Sequence, residues 1–295
     1  LMEYSRWVTI GMQIVGVLVV LWIVNKTINP SYKLAWTMLI LIFPVFGGSL
    51  YLLFGKSRIG TVMEQHYQNL IDETAEYLEG SELTRKRLNE DDRSMRIQSD
   101  YIWQYSRYPV HENTTAEYFQ VGDDMFPVLV HELEQAKHFI FIEYFIINDG
   151  VMWQTILNIL EKKAKEGVDV RLIYDGFGCL TTLPYKYDQE MRRRGIKCEV
   201  FNRFRPILNI IQNNRDHRKI CVIDGWTGFT GGINLADEYI NQRNRFGHWK
   251  DTAVMLKGEG VWNMTAMFLY MWGIVTRTDT SSDFGNYVPH RWHPD

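Results

Sequence analysis

Cysteine is scarce in this chain of 295 residues, which contains only Cys179, Cys198 and Cys221. Their number is odd, and no two of them have the CxxC spacing of a metal knuckle or a redox pair. We therefore expect neither a disulfide framework nor a cysteine-based zinc site. The composition predicts three reduced thiols in a domain on the cytosolic side.

The chain also lacks an excess of positive charge. Its formal net charge is −3, whereas a general nucleic-acid binder carries a basic surface, so we expect no nucleic-acid partner. Internal repeats and low-complexity tracts are absent too. The length suits one or two domains, with enough chain to bury a hydrophobic core.

Charge is missing altogether from two long runs near the N-terminus, about residues 7–24 and 34–54. A helix rises about 1.5 Å per residue, so each run is long enough for a hydrocarbon core of about 30 Å. Residues 1–56 are therefore predicted to form a transmembrane helical hairpin. The alternative is a pair of buried core helices.

The short loop between the two runs brings both outer ends to one side of the membrane. That side carries Arg6, Lys56 and Arg58, and the loop carries Lys26 and Lys33. The excess of positive charge at the ends predicts a multi-pass protein of the cell membrane, with the domain that follows the hairpin on the cytoplasmic side.

Residues 57–108 are charged, with apolar positions at helical spacing, and are predicted to form a helical linker. Strands and helices then alternate over residues 109–276. The predicted strands are 114–121, 138–148, 168–174, 197–201 and 219–223, and the predicted helices are 125–136, 151–166, 187–194 and 261–276. This alternation predicts an α/β domain with a sheet covered on both faces, followed by a linker or truncated tail over 277–295.

Glu143 interrupts the most apolar of the predicted strands, HFIFIEYFIIN. A buried carboxylate is rare unless it has a partner. Two interpretations stay open at this point: a structural ion pair, or a carboxylate that faces the active-site cleft.

The most informative pattern is His217-x-Lys219-x4-Asp224, followed by Gly231-Gly232-x-Asn234. Residues two apart on a strand point the same way, so His217 and Lys219 project together. A neutral imidazole can attack phosphorus, while an ammonium group stabilises the charge on the non-bridging oxygens. Asn234 can donate further hydrogen bonds to the same oxygens, and the glycine pair permits close approach of the backbone.

This pattern resembles the signature of the phospholipase D superfamily. More narrowly, the segments IEYFIIND, VRLIYDGFG, HRKICVIDG, TGGINLADEY and FGHWKDT resemble bacterial cardiolipin synthases in the same order. The resemblance runs from the hairpin to about residue 275, which corresponds to the amino-terminal half of a family member. It implies a phospholipase D-like mixed-sheet sandwich, with helices on both faces, after the transmembrane hairpin.

The resemblance also implies roles for individual residues. His217 would be the nucleophile and would carry a phosphatidyl group, and Lys219 and Asn234 would bind the phosphate. Asp224 would stabilise the motif, and Asp251 would orient the imidazole through its Nδ1–H group. No metal and no cofactor are expected, because histidine and lysine perform the chemistry.

Family members carry two such motifs, and this chain carries one. No second complete HxKxxxxD motif occurs, because His248-x-Lys250 has Met255 where the aspartate would stand, so the general acid for the leaving alcohol is missing. Three sources for the second half are open: a missing C-terminal region, a homodimer or a partner chain. We favour the first, in which the chain is a fragment of a longer protein.

The expected function is cardiolipin synthesis, in which one phosphatidylglycerol donates its phosphatidyl group to His217 and releases glycerol, and a second phosphatidylglycerol then attacks. Anionic membrane lipid is an expected partner. The basic residues that would attract it, or that would form an ordinary solvated face, are Arg192, Arg193, Arg194, Lys197, Arg203, Arg205, Arg215 and Arg218. The alternatives are a hydrolytic phospholipase D, a dimeric single-motif nuclease and a non-catalytic membrane scaffold.

Overall fold

The computed structural model describes residues 2–26, 30–55, 58–203, 214–245 and 247–288. The chain divides into two compact units, the first ending at Val62 and the second beginning at Met63. Arg205 and the end of the predicted tail lie outside the described residues.

Three helices follow one another in the first unit: α1 (Met2–Val24), α2 (Pro30–Ile42) and α3 (Pro44–Phe54). The prediction of one continuous helix over 34–54 is therefore wrong. The break lies at Phe43, whose φ of −130° and ψ of 78° are not helical. Pro44 causes it, because a proline ring disfavours the helical conformation of the preceding residue and has no N–H to donate.

Aromatic packing closes the small core of this unit. Ile23, Trp36, Ile40 and Tyr51 are buried, and the Trp36 and Tyr51 rings meet edge to face at 5.3 Å. In the part of the chain that the structure describes, no helix is both long enough and apolar enough to cross a membrane.

The remaining elements follow in chain order. The helices are α4 (Arg58–Glu73), a 3₁₀ turn (Ala75–Leu78), α5 (Glu82–Asp91), α6 (Arg93–Ser106), α7 (Gly122–Gln135), α8 (Val151–Lys165), α9 (Tyr187–Arg193), a second 3₁₀ turn (Asp237–Ile240), α10 (Val261–Thr276) and α11 (Ser281–Tyr287). The strands are β1 (Thr114–Phe119), β2 (Phe139–Tyr144), β3 (Asp169–Asp175), β4 (Lys197–Phe201), β5 (Lys219–Ile223), β6 (Thr227–Gly231) and β7 (Ala253–Gly258).

All the strands belong to one sheet, in the order β1-β7-β6-β5-β2-β3-β4. Strands β2, β3 and β4 are parallel, whereas β5 is antiparallel to β2 and begins an antiparallel run through β6, β7 and β1. The prediction of a mixed sheet is confirmed. β2 is the strand at which the parallel and antiparallel parts meet.

β2 is buried along its whole length, which explains its nearly continuous apolar sequence. Its side chains alternate between two cores. Ile140 and Ile142 join the core formed with α7, α8 and α9, while Phe139 and Phe141 join the core formed with α10 and α11. Helices therefore cover both faces, as predicted. Leu70, Ile71 and Leu78, from the segment predicted as a linker, also belong to the second core.

Candidate active site

The antiparallel pairing of β2 with β5 builds the site. Lys219 is the first residue of β5 and lies opposite Tyr144, the last residue of β2. Because side chains alternate along a strand, Lys219 and Cys221 face the core of α7 and α8, and Ile220 and Val222 face α10.

The structure brings His217 and Lys219 together, as the HxK spacing predicts. The Lys219 Nζ atom lies 3.2 Å from Nδ1 and 3.3 Å from Nε2 of His217, and it donates to the His217 carbonyl oxygen at 2.7 Å. The Phe145 ring packs on the imidazole, with 4.7 Å between the ring centroids. The ammonium therefore lies beside the imidazole edge.

Burial lowers the pKa of Lys219 below its ordinary value, while the charges of Asp251 and Asp216 act in the opposite direction. Lys219 is only 4% exposed. A cation with so little water around it interacts strongly with any anion that reaches it. This is the environment in which an ammonium group stabilises charge on a phosphate.

Asn234 is held in place through both ends of its amide. Its Oδ1 accepts a hydrogen bond from the Ile146 N–H at 3.0 Å, and its Nδ2 donates to the Tyr239 hydroxyl at 2.8 Å. The amide carries a second N–H, which can donate to a ligand. Asn234 is thereby fixed to the loop that follows β2, where Phe145 also lies.

Asp251 lies against the glycine pair. A Cβ atom on Gly232 would collide with the Asp251 carboxylate, so a larger residue there would displace this carboxylate. Oδ1 of Asp251 accepts a hydrogen bond from the Thr252 N–H at 2.8 Å. Among the described contacts, no hydrogen bond joins Asp251 to His217. Its electrostatic effect on Lys219 shows that this carboxylate lies near the lysine.

Asp224 lies at the far end of β5, roughly 20 Å along the strand from His217. Its carboxylate accepts hydrogen bonds from the backbone N–H groups of Lys137, His138 and Phe139 at 2.8 to 2.9 Å. Its φ of 52° is left-handed, a conformation that aspartate tolerates better than most residues. The contacts of Asp224 are those of a structural residue that fastens β5 to the start of β2.

Glu143 is not brought to His217. It is fully buried on the opposite face of the sheet, where the Arg218 Nε lies 2.8 Å from its Oε1. Of the two interpretations left open by the sequence, this geometry favours a structural residue with Arg218 as its partner over an active-site carboxylate.

Two residues at the site were missed in the sequence. Phe145 packs on the imidazole, and Tyr239 accepts the hydrogen bond that orients Asn234. Tyr239 lies within the motif segment, five residues after Asn234, and a polar partner for a buried amide could have been sought there. Phe145 had no such signal, because its contact depends on the register between β2 and β5.

Comparison with known families identifies the same regions. Residues 129–272 match the family described as "Cardiolipin synthase, PLD-like domain", and residues 14–56 match "Phospholipase_D-nuclease N-terminal". The first match contains all six of the predicted site residues.

Similar proteins come from several bacteria. An "Uncharacterized protein" of Streptococcus mutans is 41% identical over 278 residues, which covers 93% of this chain and 59% of that protein. A "Cardiolipin synthase" of Halalkalibacterium halodurans is 33% identical, with 91% and 53% covered. "Cardiolipin synthase 2" of Bacillus cereus is 35% identical, with 84% and 48% covered.

Fold and site thus define a phospholipase D-like domain. The chain belongs to the bacterial cardiolipin synthase family of the phospholipase D superfamily. It spans about half the length of the curated relatives that it matches.

The contacts of Asp224 lead to a stability prediction. We expect Asp224→Ala to lower the free energy of unfolding by roughly 2–4 kcal/mol, because three backbone N–H groups, one of them buried, lose their acceptor. Urea unfolding measures the change. Asp91→Ala, at an exposed position on α5, is the control and should stay within about 0.5 kcal/mol of the parent. Unchanged stability of the Asp224 variant would contradict the structural assignment.

Proposed function

We propose that this chain supplies one half of a cardiolipin synthase site, which transfers a phosphatidyl group between two phosphatidylglycerol molecules through a phosphohistidine at His217. One observation carries the proposal: the buried Lys219 ammonium lies within 3.3 Å of both ring nitrogens of His217. A phosphate attacked by that imidazole would contact the ammonium at the moment its oxygens gain charge.

The reaction has two displacements. In the first, an imidazole nitrogen bonds to phosphorus, the bond to the glycerol oxygen breaks, and that oxygen takes a proton from a general acid. In the second, the hydroxyl of another phosphatidylglycerol gives its proton to the same group and attacks phosphorus, and the phosphorus–nitrogen bond breaks. Lys219 and the second N–H of Asn234 bind the non-bridging oxygens in both steps.

The general acid comes from outside this motif. The curated relatives are about twice as long as the matched region, which supports a further segment of the same protein as its source. A second copy of this chain or a separate partner chain would serve the same role. Neither changes what His217 and Lys219 do.

We further propose that the N-terminal unit holds the chain at the cell membrane, with the catalytic half-domain on the cytoplasmic side. Its three helices expose large apolar side chains to an extent unusual for a water-facing surface, among them Trp7 (72%), Leu18 (60%) and Leu52 (81%). Contact with a lipid bilayer would bury these side chains. It would also keep the site where both lipid substrates reside.

The catalytic proposal is tested by mass spectrometry of lipids. The chain, with the downstream segment of its reading frame, is incubated with labelled phosphatidylglycerol in vesicles, and labelled cardiolipin is expected. His217→Ala should abolish it, and Lys219→Met should lower the rate by about 100-fold or more, because one donor to the charged oxygens is lost. Lys162→Met, at an exposed position on α8, should have no effect.

The lipid products distinguish the alternative functions of this site. Labelled cardiolipin that persists in the His217→Ala protein would contradict the proposal. Phosphatidic acid in place of cardiolipin would identify a hydrolase. Cardiolipin from this chain alone would show that two copies assemble the site.

The lowered pKa of Lys219 predicts how activity depends on pH. The ammonium form is required, so the rate should fall as pH rises through the lowered pKa, at a pH below the ordinary lysine value of about 10.4. A pH–rate profile measures the midpoint. The guanidinium group of Lys219→Arg stays protonated over this pH range, so the residual activity of this variant should not fall as pH rises. If the rate of Lys219→Arg still falls at high pH, another group causes the fall.

Membrane attachment is tested by flotation with phosphatidylglycerol vesicles. Leu18→Glu and Phe46→Glu should lower the bound fraction by roughly tenfold or more, because a charge in hydrocarbon costs several kcal/mol. Leu83→Glu, at an exposed leucine of α5 in the second unit, is the matched control. Equal binding by all three variants would rule out the N-terminal unit as the attachment.

A further inference from the structure

A cluster of charged side chains lies on the sheet face opposite Lys219, directly behind His217. Asp216, Arg218 and Ile220 share this face, because side chains alternate along the strand. Glu143, on the neighbouring β2, lies opposite Ile220 and completes the cluster. Asp216 is 4% exposed and Glu143 is fully buried.

Arg218 does not donate enough hydrogen bonds to stabilise both Glu143 and Asp216 as anions. Nε of Arg218 lies 2.8 Å from Glu143 Oε1 and 3.0 Å from Asp216 Oδ1, and its single hydrogen is donated to Asp216. Within the described part of the chain, neither Glu143 oxygen accepts a hydrogen bond, and Asp216 Oδ2 accepts none either. One guanidinium charge thus faces two carboxyl groups.

Asp175, at the end of β3, shows what a buried carboxylate receives in the same region. Its Oδ1 accepts hydrogen bonds from the Phe177 and Gly178 N–H groups, both at 2.8 Å. Its Oδ2 accepts one from the Asp216 N–H at 3.1 Å. Three donors of this kind stabilise a charged carboxylate, and Glu143 has none of them.

We propose that Glu143 is a neutral carboxylic acid that shares one proton with Asp216, and that the Glu143–Asp216–Arg218 cluster positions His217 from the opposite face of the sheet. The proton gives the cluster one negative and one positive charge, so it is neutral as a whole. It also supplies the missing hydrogen, because a protonated carboxyl donates to the adjacent carboxylate. Glu143, Asp216 and Arg218 are positioning residues that do not touch the substrate.

The surroundings of Glu143 favour the neutral form. Burial raises its pKa well above the ordinary range, Arg218 opposes the shift, and the neighbouring Asp216 reinforces it. Among the other titratable groups, Tyr108 interacts with Arg218 from the segment before β1, and Lys219 interacts with Asp216 from the other face of the sheet. Helix α10 packs on this face with apolar side chains such as Phe268.

His217 would be held because both of its chain neighbours are anchored. The Asp216 N–H donates a hydrogen bond to the Asp175 carboxylate. The Oδ1 atom of Asp216 accepts hydrogen bonds from the backbone N–H and from the Nε of Arg218. The backbone on either side of His217 therefore has little freedom to rotate. Loss of the cluster would let the imidazole move away from the Lys219 ammonium.

The protonation state is tested first by infrared spectroscopy of the full chain, by subtraction of the Glu143→Gln spectrum from that of the parent. We expect a carbonyl band of a protonated carboxylic acid at neutral pH. The band should vanish in Asp216→Asn, because Glu143 then becomes the sole counter-ion of Arg218 and ionises. Absence of the band in the parent protein, or its persistence in Asp216→Asn, would overturn the proposal. Neither result depends on catalytic activity.

The positioning role rests on the proposed function and has a separate test. Glutamine reproduces the shape and neutrality of a protonated glutamate, so Glu143→Gln should form phosphohistidine within about threefold of the parent rate. Glu143→Ala should be at least tenfold slower in kcat, with KM little changed, since the cluster does not touch substrate. If Gln and Ala lose the same activity, or if neither loses any, positioning by a neutral Glu143 is wrong. If Glu143→Ala does not fold, the activity of Glu143→Gln relative to the parent and the infrared result decide whether the proposal holds.

Discussion

The register between β2 and β5 is the constraint on which the site depends. Lys219 pairs with Tyr144 at one end of the two strands, and Ile223 pairs with Ile140 near the other. Asp224 fastens that second end by accepting three backbone hydrogen bonds from the start of β2. A slip of one residue would turn every side chain of β5 to the opposite face, which would move Lys219 away from the face of the site.

The same alternation gives two neighbouring cations different environments. Lys219 faces the imidazole, and no carboxylate is bonded to it in the described part of the chain, so its charge is available to a phosphate. Arg218 faces the other side of the sheet, where Asp216 and Glu143 surround its guanidinium group. Lys219 is thus available to bind a ligand, whereas Arg218, its neighbour in the chain, binds carboxyl groups of the protein itself.

Much of the fold could be predicted from local sequence. Local patterns predicted β4, β5 and α10 with the bounds that the structure has, and β5 is buried at every position. The HxK spacing also placed His217 and Lys219 side by side. Prediction failed at Pro44, because the apolar composition of the run masked the effect of a proline ring on the helix.

Strands β6 and β7 and helix α11 were not predicted. The other errors and omissions concern contacts between segments distant in the chain. The face occupied by Glu143, the packing of Phe145 on His217 and the position of Asp251 against Gly232 all depend on strand register and loop path. Spacing within one segment carries no information about them. The motif itself could be recognised because its members lie close together in the chain, from His217 just before β5 to Asn234 just after β6.

On the proposed mechanism, the geometry of displacement at phosphorus explains why one motif would form only half of a site. In an in-line reaction, the attacking and leaving atoms lie on opposite sides of the phosphorus. An imidazole bonded to phosphorus on one side cannot reach the leaving oxygen on the other, and Lys219 lies beside His217 on the attacking side. On the proposed mechanism, the proton for the leaving alcohol must therefore come from a group that faces His217 across the phosphate. The second half needs to supply that donor and does not need to repeat the cluster behind His217.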